Sequence, residues 1–320
     1  MAKRRRVGKQ AAAGSGRATG RPAGKKLRAA SKAKPSTKVK ASANAKAPSA
    51  RAAALSSPGR RWPMFQVDAF ASRLFTGNPA AVVLLEDRWL SDETMLAIAG
   101  ENNLAETAFL LAKARTLHLR WFTPALEMDL CGHATLATAH VLIEHVGLKF
   151  DRIEFQTRSG PLGVERLSDG LLSLDLPSRP AEPVPISNQI CAALGRAPVE
   201  CLQARDLMCV FDNRRDVYEL KPDMARLAEL DAFGVIVTAP GSGHDFVSRF
   251  FAPKAGVPED PVTGSAHCTL VPYWSDRLHK PRLRAHQVSK RGGELWCEDR
   301  GTRVRIAGRA VTFLEGAIRA

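Results

Sequence analysis

Arg120-Trp121-Phe122-Thr123-Pro124 runs on to Cys131-Gly132-His133-Ala134, and Arg249-Phe250-Phe251-Ala252-Pro253 runs on to Thr263-Gly264-Ser265-Ala266. Each copy is an apolar, strand-like segment closed by proline, then a loop carrying acids, then a glycine heading a stretch of small residues. Proline and glycine are 8 residues apart in the first copy and 11 in the second. A strand, a loop and a helix start occurring twice point to two pseudo-equivalent lobes. Helices that begin at glycines can aim their N-termini into one cleft, where free N–H groups and helix dipoles hold an anionic group such as a carboxylate.

Outward from this echo, short strand-like runs alternate with few helices. Phe65–Phe70 and Ala80–Leu85 read as strands around the turn Thr76-Gly77-Asn78-Pro79. Ser91 caps a predicted helix to about Gly100, and His133–His145 is the clearest helix, ended by Gly147. Strands are expected over Thr107–Leu111, Leu117–Phe122, Ile153–Thr157, Gly163–Leu167 and Leu171–Leu176. Pro177–Pro185 holds four prolines in nine residues and reads as the linker between halves. Beyond it, Met208–Phe211, Val235–Thr238, Phe246–Phe251, Leu283–Val288, Glu294–Cys297, Val304–Ile306 and Ala310–Leu314 are expected as strands. Ser265–His279 is expected as a helix kinked at Pro272, whose ring displaces a backbone hydrogen bond. Many hairpin-linked strands with few helices indicate an α+β fold. The expected division is a tail over residues 1–61, an N-terminal lobe over 62–178 that the final strand near 310–320 joins, and a C-terminal lobe over 179–309.

The formal charge of +15 suggests a nucleic-acid binder, but its distribution argues otherwise. Of 47 Lys and Arg, 18 fall in residues 1–61 and no Asp or Glu does, so residues 62–320 carry 29 bases against 32 acids. The basic segment is rich in Ala, Gly, Ser and Pro and is expected to be disordered, because it lacks the apolar surface to offset the entropy of ordering. Docking on nucleic acid or another anionic surface, an organellar transit peptide and a plain solvated extension are its three readings. No apolar run approaches the ~18 residues of a membrane-spanning helix. Cys131, Cys191, Cys201, Cys209, Cys268 and Cys297 form no CxxC pair, which favours reduced thiols in a cytoplasmic protein. No GxGxxG or GxxxxGK[ST] signature supports a nucleotide cofactor in residues 62–320.

Glu106, entering the apolar run Thr107-Ala-Phe-Leu-Leu111, reads either as a surface turn carboxylate or as a general acid or base. His133 reads as a proton relay or substrate contact, or as a helix-start residue bonded to nearby backbone. Asp260, just upstream of Gly264, caps the helix, fixes the loop or joins the chemistry. Ser265 lacks a Ser-His-Asp context and reads as a hydrogen-bond donor. His140, His145, His267, His279 and His286 lack ligand spacing around carboxylates, so no metal site is expected.

From Met64 onward the chain resembles the phenazine-biosynthesis isomerase-like (PhzF-like) family. The resemblance rests on Val67-Asp-Ala-Phe70 with Gly77-Asn-Pro-Ala-Ala-Val82, Asn103-Leu-Ala-Glu106-Thr-Ala-Phe109, Phe122-Thr-Pro124 before Gly132-His133, and Phe251-Ala-Pro253 with Glu259-Asp-Pro-Val-Thr-Gly-Ser-Ala266. It implies a fold similar to diaminopimelate epimerase, in which each of two lobes wraps a curved, mainly antiparallel sheet around a central helix. It further implies a cofactor-free isomerase, often a homodimer, acting on a small carboxylate or amino-acid-like substrate. Glu106 then corresponds to the acid/base that moves the proton, and His133 and Asp260 to further catalytic residues. Gly132, Gly264 and Ser265 correspond to substrate-binding positions. Cys131 departs from the phenazine enzyme, which has a small non-thiol residue there, and is an auxiliary candidate. Related two-base epimerases carry paired thiols, whereas the second loop here offers Thr263, whose hydroxyl ionises far less readily. A Cys131-assisted epimerase, racemase or dehydratase, and a non-catalytic binding protein with a nucleic-acid-docking tail, are the alternatives.

Overall fold

The computed structural model describes residues 59–113 and 116–320. The expected disordered tail lies outside the described residues up to position 58. Its expected end needs correction, because the first strand, Arg61–Ala69, already includes Arg61. Arg60 pairs with Glu86 and with Asp87, and its guanidinium stacks over Trp62 at 4.4 Å. A buried aromatic thus anchors the start of the fold.

Eight strands lie side by side in the order Ala310–Arg319, Arg61–Ala69, Asn78–Leu85, Glu106–Lys113, Thr116–Phe122, Arg152–Thr157, Gly160–Arg166 and Leu172–Pro177. Eight more follow the same plan: Glu182–Val184, Glu200–Gln203, Leu207–Val210, Val235–Pro240, Phe246–Ala252, Arg282–Gln287, Gly293–Asp299 and Arg303–Gly308. The two series match in direction at every step, with the third and fifth pairings parallel and the rest antiparallel. Each parallel pairing requires a crossover, and helices supply it in both series. Leu172–Pro177 pairs antiparallel with Arg303–Gly308 and joins the two lobes into one continuous ladder. A short strand hangs on the corresponding strand of each lobe, Glu127–Met128 on Thr116–Phe122 and Val257–Asp260 on Phe246–Ala252.

Inside each curved sheet runs one helix. Gly132–Glu144 is buried on nearly all sides, and its alternation of Gly, Ala and Thr with aliphatic residues lets the sheet close around it. Gly264–Leu278 is its counterpart. Pro272, inside this second helix, has no N–H to give the Cys268 carbonyl. The Arg179 backbone N–H takes that carbonyl at 2.9 Å, tying the helix to the segment between the lobes. That segment, expected as a linker over Pro177–Pro185, instead contributes the strand Glu182–Val184. The short helices Asn188–Leu194, Arg214–Glu219 and Met224–Glu229 went unread, although Ser187, Asn213 and Asp223 cap them through their side chains. Among the described residues, no helix is long and apolar enough to cross a membrane.

Candidate active site

The turn at Thr76-Gly77-Asn78 clasps the lobes together. Arg291 reaches across to Asp68 at 2.7 Å and to the carbonyls of Gly77 and Thr76, and the Gly77 N–H donates to the Gly292 carbonyl at 2.6 Å. Gly77 sits at φ +67°, and a Cβ there would lie 2.2 Å from the Ala69 carbonyl oxygen, so the turn depends on glycine. The clasp seats Asn78, fully buried, at the junction. Its amide nitrogen lies 2.8 Å from Asp260 Oδ1, 2.9 Å from the Val262 carbonyl and 3.2 Å from His133 Nδ1.

Glu106 begins its strand with a side chain 14% exposed, which excludes the surface-turn reading. Its Oε2 lies 3.1 Å from His133 Nε2, close in distance although not directed as a hydrogen bond. On the other edge of the ring, Cys131 Sγ lies 3.6 Å from Nδ1. The two hydrogens of the Asn78 amide serve its two shorter contacts, which leaves Nδ1 facing the sulfur and Nε2 facing the carboxylate. Burial alone would lower the pKa of His133, but Cys131 and Glu106 outweigh it and hold it well above the ordinary imidazole value. Burial, reinforced by Glu106 and opposed by His133, pushes the Cys131 thiol up.

Asp260 completes the far side. Burial raises its pKa to about 6, aided by Glu106 and opposed by His133, Thr263 and Asn78. The Thr263 hydroxyl donates to Asp260 Oδ2. Gln287, fully buried, braces this loop: it accepts from the Thr263 N–H at 2.9 Å and donates to the Asp260 carbonyl at 2.8 Å and to Thr263 Oγ1 at 3.0 Å.

Both central helices start bare. Cys131 and Thr263 occupy the capping positions, and neither side chain accepts from its helix, in contrast to Ser91 and Ser187. Thr263 gives its hydroxyl to Asp260 instead, so Asp260 secures the loop and does not cap the helix. The helix starts abut: a Cβ on Gly132 would lie 3.7 Å from Gly264 Cα. Their first-turn N–H groups therefore converge on a cleft of about 100 Å³ that Glu106, Cys131, His133, Asp260 and Ser265 also line. All the candidate site residues of the sequence thus meet in one place.

Asn78, Gln287 and Arg205 are additions that the sequence reading missed. Arg205 lines the same cleft, stacked on Phe233 at 4.1 Å. A further repeat was within reach of the sequence. Counted back from the glycines, Glu127 and Glu259 each stand five residues before, and each clamps its strand arginine: Arg120–Glu127 at 2.7 and 2.8 Å, Arg249–Glu259 at 2.7 and 3.0 Å. These two-point pairs hold both loops in the same pose.

Comparison with known proteins agrees with this architecture. Residues 67–316 match the family model described as phenazine biosynthesis-like protein (PhzC-PhzF). Two proteins of Pseudomonas aeruginosa, each named an uncharacterized isomerase, are 53% and 50% identical over 255 residues, covering 79% and 80% of this chain and 97% and 98% of their own. The crystal structure of a phenazine biosynthesis protein of the PhzF family from Enterococcus faecalis is similar with a TM-score of 0.79 at 46% identity, over 82% of this chain and all of that one. With the repeat, the clasped lobes and the motif residues gathered at one cleft, the chain belongs to the PhzC/PhzF phenazine biosynthesis-like family.

Proposed function

We propose that this protein is an isomerase that moves a proton between carbons of a small carboxylate or amino-acid-like substrate, using its own side chains as acid and base. The observation that carries this reading is the Glu106 carboxylate, 3.1 Å from His133 Nε2, in the cleft where two uncapped helix starts converge. The helix N–H groups hold the substrate carboxylate and stabilise the anion that forms as the proton leaves, typically a larger contribution than the proton transfer itself. Arg205 adds positive charge at the wall. Glu106 removes the proton and returns it elsewhere, while His133 and Asp260 line the path.

The loops favour a one-face transfer over two-base epimerisation, because opposite Cys131 stands Thr263, whose hydroxyl is given to Asp260. Bases on opposite faces of one carbon, each about 3–3.5 Å from it, stand roughly 6–7 Å apart. Donor atoms of Glu106, Cys131 and His133, all from the first lobe, lie within 4.8 Å of one another and so gather on one side of the cleft. A proton taken and returned by one carboxylate then migrates without crossing the substrate plane.

The test exposes the purified protein to a library of small carboxylates in deuterated water, with mass spectrometry reporting deuterium gained. Glu106→Gln should keep the fold and lose that wash-in, with turnover down by the ~10²–10⁴-fold typical of a general base. Undiminished turnover in this variant eliminates the assigned role.

A further inference from the structure

We propose that Glu106, Cys131 and His133 also form a binding site for a thiophilic divalent cation of the zinc class, and that an ion seated there blocks the cleft. One carboxylate oxygen, one sulfur and one imidazole nitrogen, all within 4.8 Å of one another, are three of the donor types that zinc takes. With metal–ligand bonds of about 2.0–2.3 Å, a tetrahedral site spaces its donors roughly 3.3–3.8 Å apart. The Sγ–Nδ1 separation of 3.6 Å already lies within that spacing and makes Nδ1 the ring donor, while the Oε2–Nε2 contact of 3.1 Å is to the other ring nitrogen and does not count toward it. The Glu106 carboxylate, within 4.8 Å of both other donors, completes the set by moving in by up to about 1 Å to that spacing.

Hydrogen bonding at the carboxylate points the same way. Among the described residues, Glu106 Oε2 is buried without a directed hydrogen bond. Buried polar atoms of this kind are normally satisfied, so its orphaned state beside the other two donors marks a place for a ligand. The cleft supplies an open fourth position, as in zinc sites that keep one coordination place for water. A thiol and an imidazole select a soft or borderline ion over magnesium, which prefers an all-oxygen set. Binding would deprotonate Cys131 and release its proton. The sequence reading expected no metal because it weighed the other histidines; only folding brings position 106 to the 131–133 loop.

Binding itself is independent of the isomerase reading; the blocking effect rests on it, since the ion would occupy the Glu106 carboxylate. The full-length protein, stripped with chelator, is titrated with Cd²⁺ while the ultraviolet cadmium–thiolate charge-transfer band is followed, and with Zn²⁺ by calorimetry. The wild type should show the band. Cys131→Ser should lose it, and both Cys131→Ser and His133→Gln should bind zinc more weakly by at least the ~10–100-fold that losing even an outer-shell partner costs. Circular dichroism verifies that each variant is folded. No band in the wild type, a full-strength band in folded Cys131→Ser, or unchanged zinc affinity in both variants overturns the site. Because these readouts need no turnover, their failure leaves the proton-transfer reading to be judged by Glu106→Gln.

Discussion

Replacing Gln287 with methionine isolates what holds the second loop in place. Methionine nearly matches glutamine in length and volume, so the change removes hydrogen bonds without opening a cavity. Gln287 is fully buried and serves three groups: the Thr263 N–H, the Asp260 carbonyl and Thr263 Oγ1. The hydroxyl keeps its bond to Asp260, so the orphans are one backbone N–H and one backbone carbonyl. At about 1–3 kcal/mol for each buried group left unsatisfied, the expected cost centres near 4 kcal/mol. For a domain of this size, each kcal/mol is worth about 2–4 °C, so the melting temperature should fall by roughly 8–16 °C. A thermal melt followed by circular dichroism measures it. Substrate deuterium wash-in, assayed well below the melting point, should fall as well, because the same bonds set the pose of Asp260 and the second helix start. A drop under about 2 °C with unchanged wash-in would refute the view that this one side chain braces the loop.

Asp260→Asn should change how stability depends on pH. The folded carboxyl has its pKa near 6 against an ordinary 3.8, so the folded state holds the proton more tightly. Its contribution is fully present below about 3.8 and is lost as pH rises through 6, up to roughly 3 kcal/mol in all. Urea midpoints at both ends of that range should show the loss in the wild type and not in the variant; an identical slope in both rejects the assignment. Gly293→Ala should destabilise by about 1–3 kcal/mol, since its Cβ would lie 2.4 Å from Val262 Cγ2 and 3.0 Å from the Phe70 carbonyl oxygen at the lobe junction. Gly100→Ala, in an exposed helix position whose Cβ meets nothing nearer than 4.0 Å, should gain up to about 1 kcal/mol, and a loss there would contradict the packing described.

The sequence is most legible where local chemistry and fold agree. The echo at Arg120 and Arg249 reports the two lobes because the same strand–loop–helix unit is built twice, and its glycines stand where two backbones must approach. Ser91 announces its helix because the cap is local. The short helices capped by Ser187, Asn213 and Asp223 carry the same signal but run for only one or two turns, too short for an apolar period to emerge. Asn78 and Gln287 look like an ordinary turn residue and an ordinary strand end. Their roles arise from contacts 182 and 24–27 residues away, which no local pattern encodes. Glu106 is intermediate: its entry into an apolar strand was readable, but its position against His133 depends on how Asn78–Leu85 and Glu106–Lys113 pair in parallel.

The repeat and the chemistry divide the work. Features shared by the lobes are scaffold: strand directions, the clamps of Arg120 on Glu127 and Arg249 on Glu259, and the glycine helix starts. On the proposed reading, positions that differ at equal distance from those glycines carry the function: Met128 against Asp260, Cys131 against Thr263, His133 against Ser265. A symmetric cleft would set equal bases on both sides and suit inversion at one carbon. Here, on the proposed reading, the first lobe supplies the proton-handling pair, and the second supplies a carboxyl and a hydroxyl already engaged with each other. Asn78 sits between the two sets, its amide donating to Asp260 at 2.8 Å and lying 3.2 Å from His133 Nδ1. On that reading, divergence of the two loops turns a duplicated anion-binding frame into a site that handles its proton from one side.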